Sequence, residues 1–142
     1  MALRIVDVMD REWVSVESGS TAIDCTREML RRRHGFALVT RDQRPWGIVT
    51  EWDLLSKVVA PGRDPSTVRV EEIATTPIIS CRVDTPFAEV VQTMAERGIR
   101  RMLVVGGDGQ VQGAITSRAV LQLFRPYIDE ITREIAGFTS SL

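Results

Sequence analysis

The sequence predicts a mixed α/β fold of the α+β class. It consists of two β-α-β-β-α units packed sheet to sheet about a pseudo-two-fold axis, followed by a C-terminal helix. Three observations predict it. The stretch "GIVTEWD" at 47–53 is echoed by "GAITSRA" at 113–119, which sets Gly47 against Gly113 and Thr50 against Thr116 at an offset of 66. Further upstream, Ser20 and Thr85, and Met29 and Met94, share an offset of 65. Between these anchors the features keep one order: "STAIDCTREML" answers to "TPFAEVVQTMA", and "FALVTRDQRPWGIVT" to "MLVVGGDGQVQGAIT". A repeat of this period is one supersecondary unit written twice. The one-residue difference in offset places a gain or loss near the end of each first long helix.

Each unit is read in the same way. "WVSV" (13–16) and "IISC" (78–81) have the composition of short strands. Over 20–33, Ala22, Ile23, Thr26, Met29 and Leu30 recur at spacings of three and four, which predicts a helix with one apolar face. Phe87, Val90, Val91, Met94 and Ala95 repeat that pattern over 86–97, with Pro86 suited to a first helical turn. Two strands then pair across a turn, "FALV" with "WGIV" and "MLVV" with "VQGAI". Gly106, Gly107 and Asp108-Gly109 mark the second turn strongly. A further helix closes each unit, near 51–59 and 117–124. "IVDVM" and "VEEIA" open the two halves. The boundaries are therefore 4–60 for unit 1, a Pro- and Gly-containing linker over 61–69, 70–124 for unit 2, and a final helix over 125–138 begun by Pro126. Ile128, Ile131 and Ile135 form an apolar stripe on that last helix, and such a stripe needs a groove in its own chain or a partner's.

Bulk composition narrows the function. The chain has 142 residues with 44% hydrophobic and 26% charged, the balance of a globular protein. A net charge of −1 gives no overall field for nucleic acid or an acidic membrane. Lys57 is the sole lysine, so positive charge is almost wholly arginine, which suits bidentate phosphate contact. Cys25, Cys81 and His34 make no metal spacing, so no metal is expected. The N-terminus has no signal-peptide core and no run nears the roughly 20 apolar residues of a membrane span, so a cytoplasmic location is expected. One histidine and scattered acids supply no nucleophile–base set, so no enzyme activity is expected.

Paired units of this kind, each ending in a Gly-apolar-apolar-Thr turn into a helix, resemble cystathionine-β-synthase (CBS) domains, two of which in tandem form a Bateman module. The resemblance covers about residues 4–124. "GIVTEWD" matches the family's G-h-x-[ST]-x-x-D ribose-phosphate motif in full. The resemblance implies an adenine nucleotide (AMP, ADP or ATP) held between the units, with Thr50 on phosphate and Asp53 on the ribose hydroxyls. It further implies Ile48, Ile79 and Ile99 against adenine, Trp52 over ribose or base, and His34, Arg100 and Arg101 near phosphate. The same Thr50-x-x-Asp53 spacing is also that of a capping box, which serves structure alone. Arginines at 31, 32, 33 and 97 are placed to meet a helix dipole. "GAITSRA" keeps Thr116 and Ser117 but has Ala119 in place of the acid. The second cleft, with Val14 and Ala114, is therefore expected to be weaker or empty.

The expected function is that of a regulatory module sensing an adenine nucleotide, working as a homodimer and signalling by conformational change to an unidentified protein. An S-adenosylmethionine-type ligand or a nucleic-acid-binding CBS protein are the alternatives. Nucleic acid is disfavoured by the charge balance, and no membrane partner is expected.

Overall fold

The computed structural model describes residues 3–140. In chain order the elements are α1 (Ile5–Val8), β1 (Val14–Glu17), α2 (Ala22–Arg32), β2 (Phe36–Arg41), β3 (Arg44–Thr50) and α3 (Glu51–Leu54). The α3 turn runs on into a π-helical stretch, Leu55–Val59. Then follow α4 (Val70–Ile73), β4 (Ser80–Arg82), α5 (Phe87–Arg97), β5 (Arg101–Val105), β6 (Val111–Thr116) and α6 (Ser117–Ser140).

The two long repeat helices form for local reasons. In α2 the Thr21 hydroxyl accepts from Asp24 N–H at 3.2 Å, and Ala22, Cys25 and Met29 make the buried face. In α5 Val90 and Met94 are buried, and Gly98 ends the helix in the left-handed conformation at φ 62°. At the same place α2 ends on Arg33, φ 57°, where a side chain meets strain that glycine avoids.

Each half makes one three-stranded sheet, β1-β2-β3 and β4-β5-β6, with the first pair parallel and the second antiparallel. Phe36 pairs with Thr50 as Arg101 pairs with Thr116, and Val39 faces Gly47 as Val104 faces Gly113. Residues of β2 and β5 are thus 65 apart, and those of β3 and β6 are 66 apart. The one-residue difference lies in the hairpin, not at the helix end where the sequence reading put it. A two-residue turn at Asp42 and Gln43, both at positive φ, faces a longer turn carrying Gly109 at φ 78°.

The short opening helices change places. Ile5 and Met9 are buried with Cys81, Val90, Met94, Met102 and Ile115, in the core of the second half. Val68, Val70 and Ile73 are buried with Val14, Cys25, Met29 and Val49, in the core of the first. Backbone bridges fix both crossings: Asp10 and Ala114 exchange hydrogen bonds at 2.8 and 2.9 Å, and Ile48 and Thr75 at 3.1 and 2.8 Å. Each crossing segment also covers part of an otherwise open strand edge. The linker is less superficial than its composition suggests, since Val68 is 1% exposed.

Between the sheets lies a third cluster, Phe36, Leu38, Leu103 and Ala114, with Trp13, Ile48 and Ile78 against it. The expected sheet-to-sheet packing is therefore present. The end of the chain differs from expectation. A single helix runs from Ser117 to Ser140 with Pro126 inside it, in place of a break and a new start. Proline lacks the N–H that would bond the Gln122 carbonyl, and this stretch is exposed, so solvent can satisfy that carbonyl.

Candidate functional site

The two helix starts that follow β3 and β6 face one another across the sheet interface. Glu51 N–H donates to the Gly35 carbonyl at 3.1 Å, and Ser117 N–H donates to the Arg100 carbonyl at 2.9 Å. Around them opens a cleft of about 950 Å³. Its polar part is lined by Asp10, Arg33, His34, Glu51, Arg100, Arg101, Thr116, Ser117 and Arg118. Four arginines against two acids give this wall a positive balance. Its apolar part runs over Ile23, Met29, Leu30, Leu54, Leu55, Val58 and Val59, between α2 and the helix that follows β3. A shallower cleft of about 400 Å³ adjoins His34 and is lined by Arg11, Glu12, Trp13 and Arg32.

Thr50 and Asp53 form the capping box in full. Asp53 Oδ2 accepts from the Thr50 N–H at 2.8 Å and from the Thr50 hydroxyl at 3.0 Å, and Asp53 N–H donates back to that hydroxyl at 3.2 Å. Lys57 Nζ lies 2.9 Å from Asp53 Oδ1 and also donates to the Ile73 carbonyl at 2.9 Å. Asp53 is 5% exposed, so this carboxylate is both buried and partnered on each oxygen. It ties three things together: the end of β3, the helix it starts, and the crossing helix α4. At Thr116 half of this survives, because Ala119 N–H donates to the Thr116 hydroxyl at 3.1 Å but no carboxylate returns.

Of the residues expected at the first site, His34, Arg100 and Arg101 line the large cleft. Thr50, Asp53, Ile48, Trp52, Ile79 and Ile99 are not on its wall. Ile48 is half-buried between the sheets, Ile79 and Ile99 pack against the second core, and Trp52 is 69% exposed. Of the second set, Ala114, Thr116 and Ser117 line the cleft. Val14 does not belong with them. It is 1% exposed in the first core, because strand alternation turns it inward and leaves Trp13 to face the interface. Arg33, assigned to a helix dipole, is on the cleft wall, as are Asp10, Glu51 and Arg118. Glu51 and Arg118 stand beside the recurring threonines, so adjacency was the available signal. Asp10 had none, since its place depends on the crossing.

Burial pushes the Arg101 guanidinium below its ordinary value, while nearby Glu51 acts the other way. Burial raises both thiols, Cys25 and Cys81, to about 11, so neither is a thiolate near neutrality. No cluster of metal-binding side chains occurs among the described residues, and no described helix is long and apolar enough to cross a membrane.

Comparison with known proteins agrees with this architecture. The sequence model for the CBS domain matches twice, at residues 5–60 and 70–125. An uncharacterized protein of Methanopyrus kandleri is 30% identical over 144 residues, covering 99% of this chain and 72% of that one. A homoserine O-acetyltransferase of Methanohalobium evestigatum is 27% identical over 124 residues, a match spanning 87% of this chain but 24% of the transferase. Among solved structures, a hexameric CBS-CP12 protein from bloom-forming cyanobacteria is 30% identical with a TM-score of 0.78, covering 96% of this chain and 81% of that one. A CBS domain pair in complex with 5′-methylthioadenosine and S-adenosyl-L-methionine superposes with a TM-score of 0.79 at 21% identity, covering 89% and 99%. That degree of identity speaks to the fold alone.

Proposed function

The chain belongs to the CBS domain family, and from that premise we propose that it is a regulatory module whose central cleft binds an adenosyl ligand carrying phosphate. The observation that carries this reading is the cleft wall, where Arg33, His34, Arg100, Arg101 and Arg118 gather beside the Thr116 and Ser117 hydroxyls. Arginine forks and hydroxyl donors together suit phosphate oxygens. AMP, ADP or ATP is the ligand class proposed. Binding, not catalysis, is the proposed activity: a ligand touching both units favours one arrangement of them, and a protein partner reads the shift. The proposed assembly is a homodimer.

Asp53 is buried and off the wall of this cleft. It is therefore proposed as the ribose acceptor only for a ligand-bound state in which the helix after β3 turns its carboxylate toward the cleft. To serve, its Oδ1 must exchange Lys57 for a ribose hydroxyl, one charge-assisted contact for another. Calorimetric titration with AMP, ADP, ATP, NAD and S-adenosylmethionine, on the wild type and Asp53→Ala, tests this. Loss of the acceptor is expected to weaken adenosyl binding by roughly ten- to a hundred-fold. Unchanged affinity would leave Asp53 as a helix cap and nothing more.

A second reading has one observation in its favour. Asp10 and Glu51 put carboxylates on the same wall, and these suit an adenosyl ligand with a cationic tail, such as S-adenosylmethionine. The neighbour solved with that ligand supports it by fold. In the titration this reading predicts tighter binding of S-adenosylmethionine than of ATP.

A further inference from the structure

The two halves of the cleft are built alike and charged differently. By strand register Phe36 occupies the place of Arg101, because each pairs with the threonine that ends its sheet. By the same repeat Gly35 stands for Arg100 and Glu51 for Ser117. At these positions one half presents Glu51, with Arg33 and His34 just before Gly35 on the same wall, and the other presents two arginines and a neutral serine. Glu51 reaches across this boundary: its Oε1 accepts from Arg101 Nη2 at 3.5 Å. Gly35 leaves the space for that contact. A Cβ there would overlap the Glu51 carboxylate and lie 2.6 Å from Arg101 Nη2. Arg101 is held in turn over the Phe36 ring, 5.6 Å from its centroid.

We propose that Glu51 is the charge-selecting residue of the cleft. It takes up Arg101 and sets a carboxylate on the unit 1 side, so that an anionic tail is directed to Arg100, Ser117 and Arg118 and a second one is turned away. A phosphate approaching Arg101 has to displace Glu51 or meet its charge at close range. The inference rests on the reading that the cleft takes an adenosyl ligand with an anionic tail.

Calorimetry on the full chain tests it, with ATP and adenosine titrated into the wild type and Glu51→Gln. The glutamine keeps the shape and removes the charge. The Glu51 side chain is 68% exposed, so the fold is expected to be unaffected, with an unchanged melting temperature as the check. ATP is expected to bind Glu51→Gln at least about ten-fold tighter, with adenosine within about two-fold of wild type. Binding of adenosine and ATP that is indifferent to the substitution would overturn the role of Glu51 and leave the ligand reading standing. If neither ligand binds either protein, both are overturned.

Discussion

Gly47 and Gly113 recur for a reason that lies outside their own strands. Neither sits at a positive φ, so no turn demands glycine there. Their missing side chains make room for the crossing segments. A Cβ on Gly113 would stand 2.6 Å from the Asp10 carbonyl oxygen and 2.9 Å from Met9 Sδ. A Cβ on Gly47 would stand 2.8 Å from the Thr76 methyl and 3.1 Å from the Thr75 carbonyl oxygen. The nearest obstacle at Gly113 is backbone that is already hydrogen-bonded to Ala114, and it can give way only if that bridge is lost. Gly113→Ala is thus expected to destabilise the protein by about 2–3 kcal/mol, and Gly47→Ala by about 1–2 kcal/mol. Urea denaturation of the two variants measures both. Equal stability of Gly113→Ala and wild type would refute the account. The repeated glycine was plain in the sequence, but its cause was not, because the contacting residues come from the other half of the chain.

At the scale of elements, the repeat, the strands, the hairpins and the two long helices were legible, since each depends on local periodicity and turn chemistry. Thr50 and Asp53 were legible as a capping pair, and the structure realises that pairing bond for bond. The exchange of α1 and α4 was not legible. Four-residue helices carry no period, and each half supplies a plausible place for its own. Likewise Val14 and Trp13 are adjacent, and a one-residue choice of strand phase decides which faces the interface. Pro126 misled for a different reason: proline favours a helix start, yet an exposed helix can carry one internally when its freed carbonyl meets water. The exchange has a measurable consequence. Ile5 is 1% exposed in the second core, although it precedes the first strand of the first half. Ile5→Ala is expected to cost about 2–4 kcal/mol. Hydrogen exchange should show protection falling first in β4, β5 and β6. A loss confined to β1, β2 and β3 would contradict the crossing.

For the whole molecule, the distribution of exposed apolar side chains is the telling feature. On α6 Leu121, Phe124, Tyr127, Ile128 and Ile131 are each about half exposed or more, and in the sequence Ile135 and Phe138 continue the same stripe. Leu121, Phe124, Ile128, Ile131, Ile135 and Phe138 follow one another at steps of three and four, the spacing that keeps an apolar seam on one side of a helix. A 24-residue helix is about 36 Å long, and an amphipathic helix owes most of its stability to packing of its apolar face. Nothing in the length of the helix requires a second copy, but the seam's alternating repeat is complementary to itself, which is the property an isologous interface needs. The proposed homodimer is therefore expected to close through α6. Light scattering after size exclusion should report a dimer for the wild type. Ile128→Glu with Ile131→Glu places charges in the seam and should give a monomer, with adenosyl binding in the cleft preserved because neither residue lines it. A monomeric wild type would remove the dimer, whereas a dimer that survives both substitutions would assign the interface to another face of the protein.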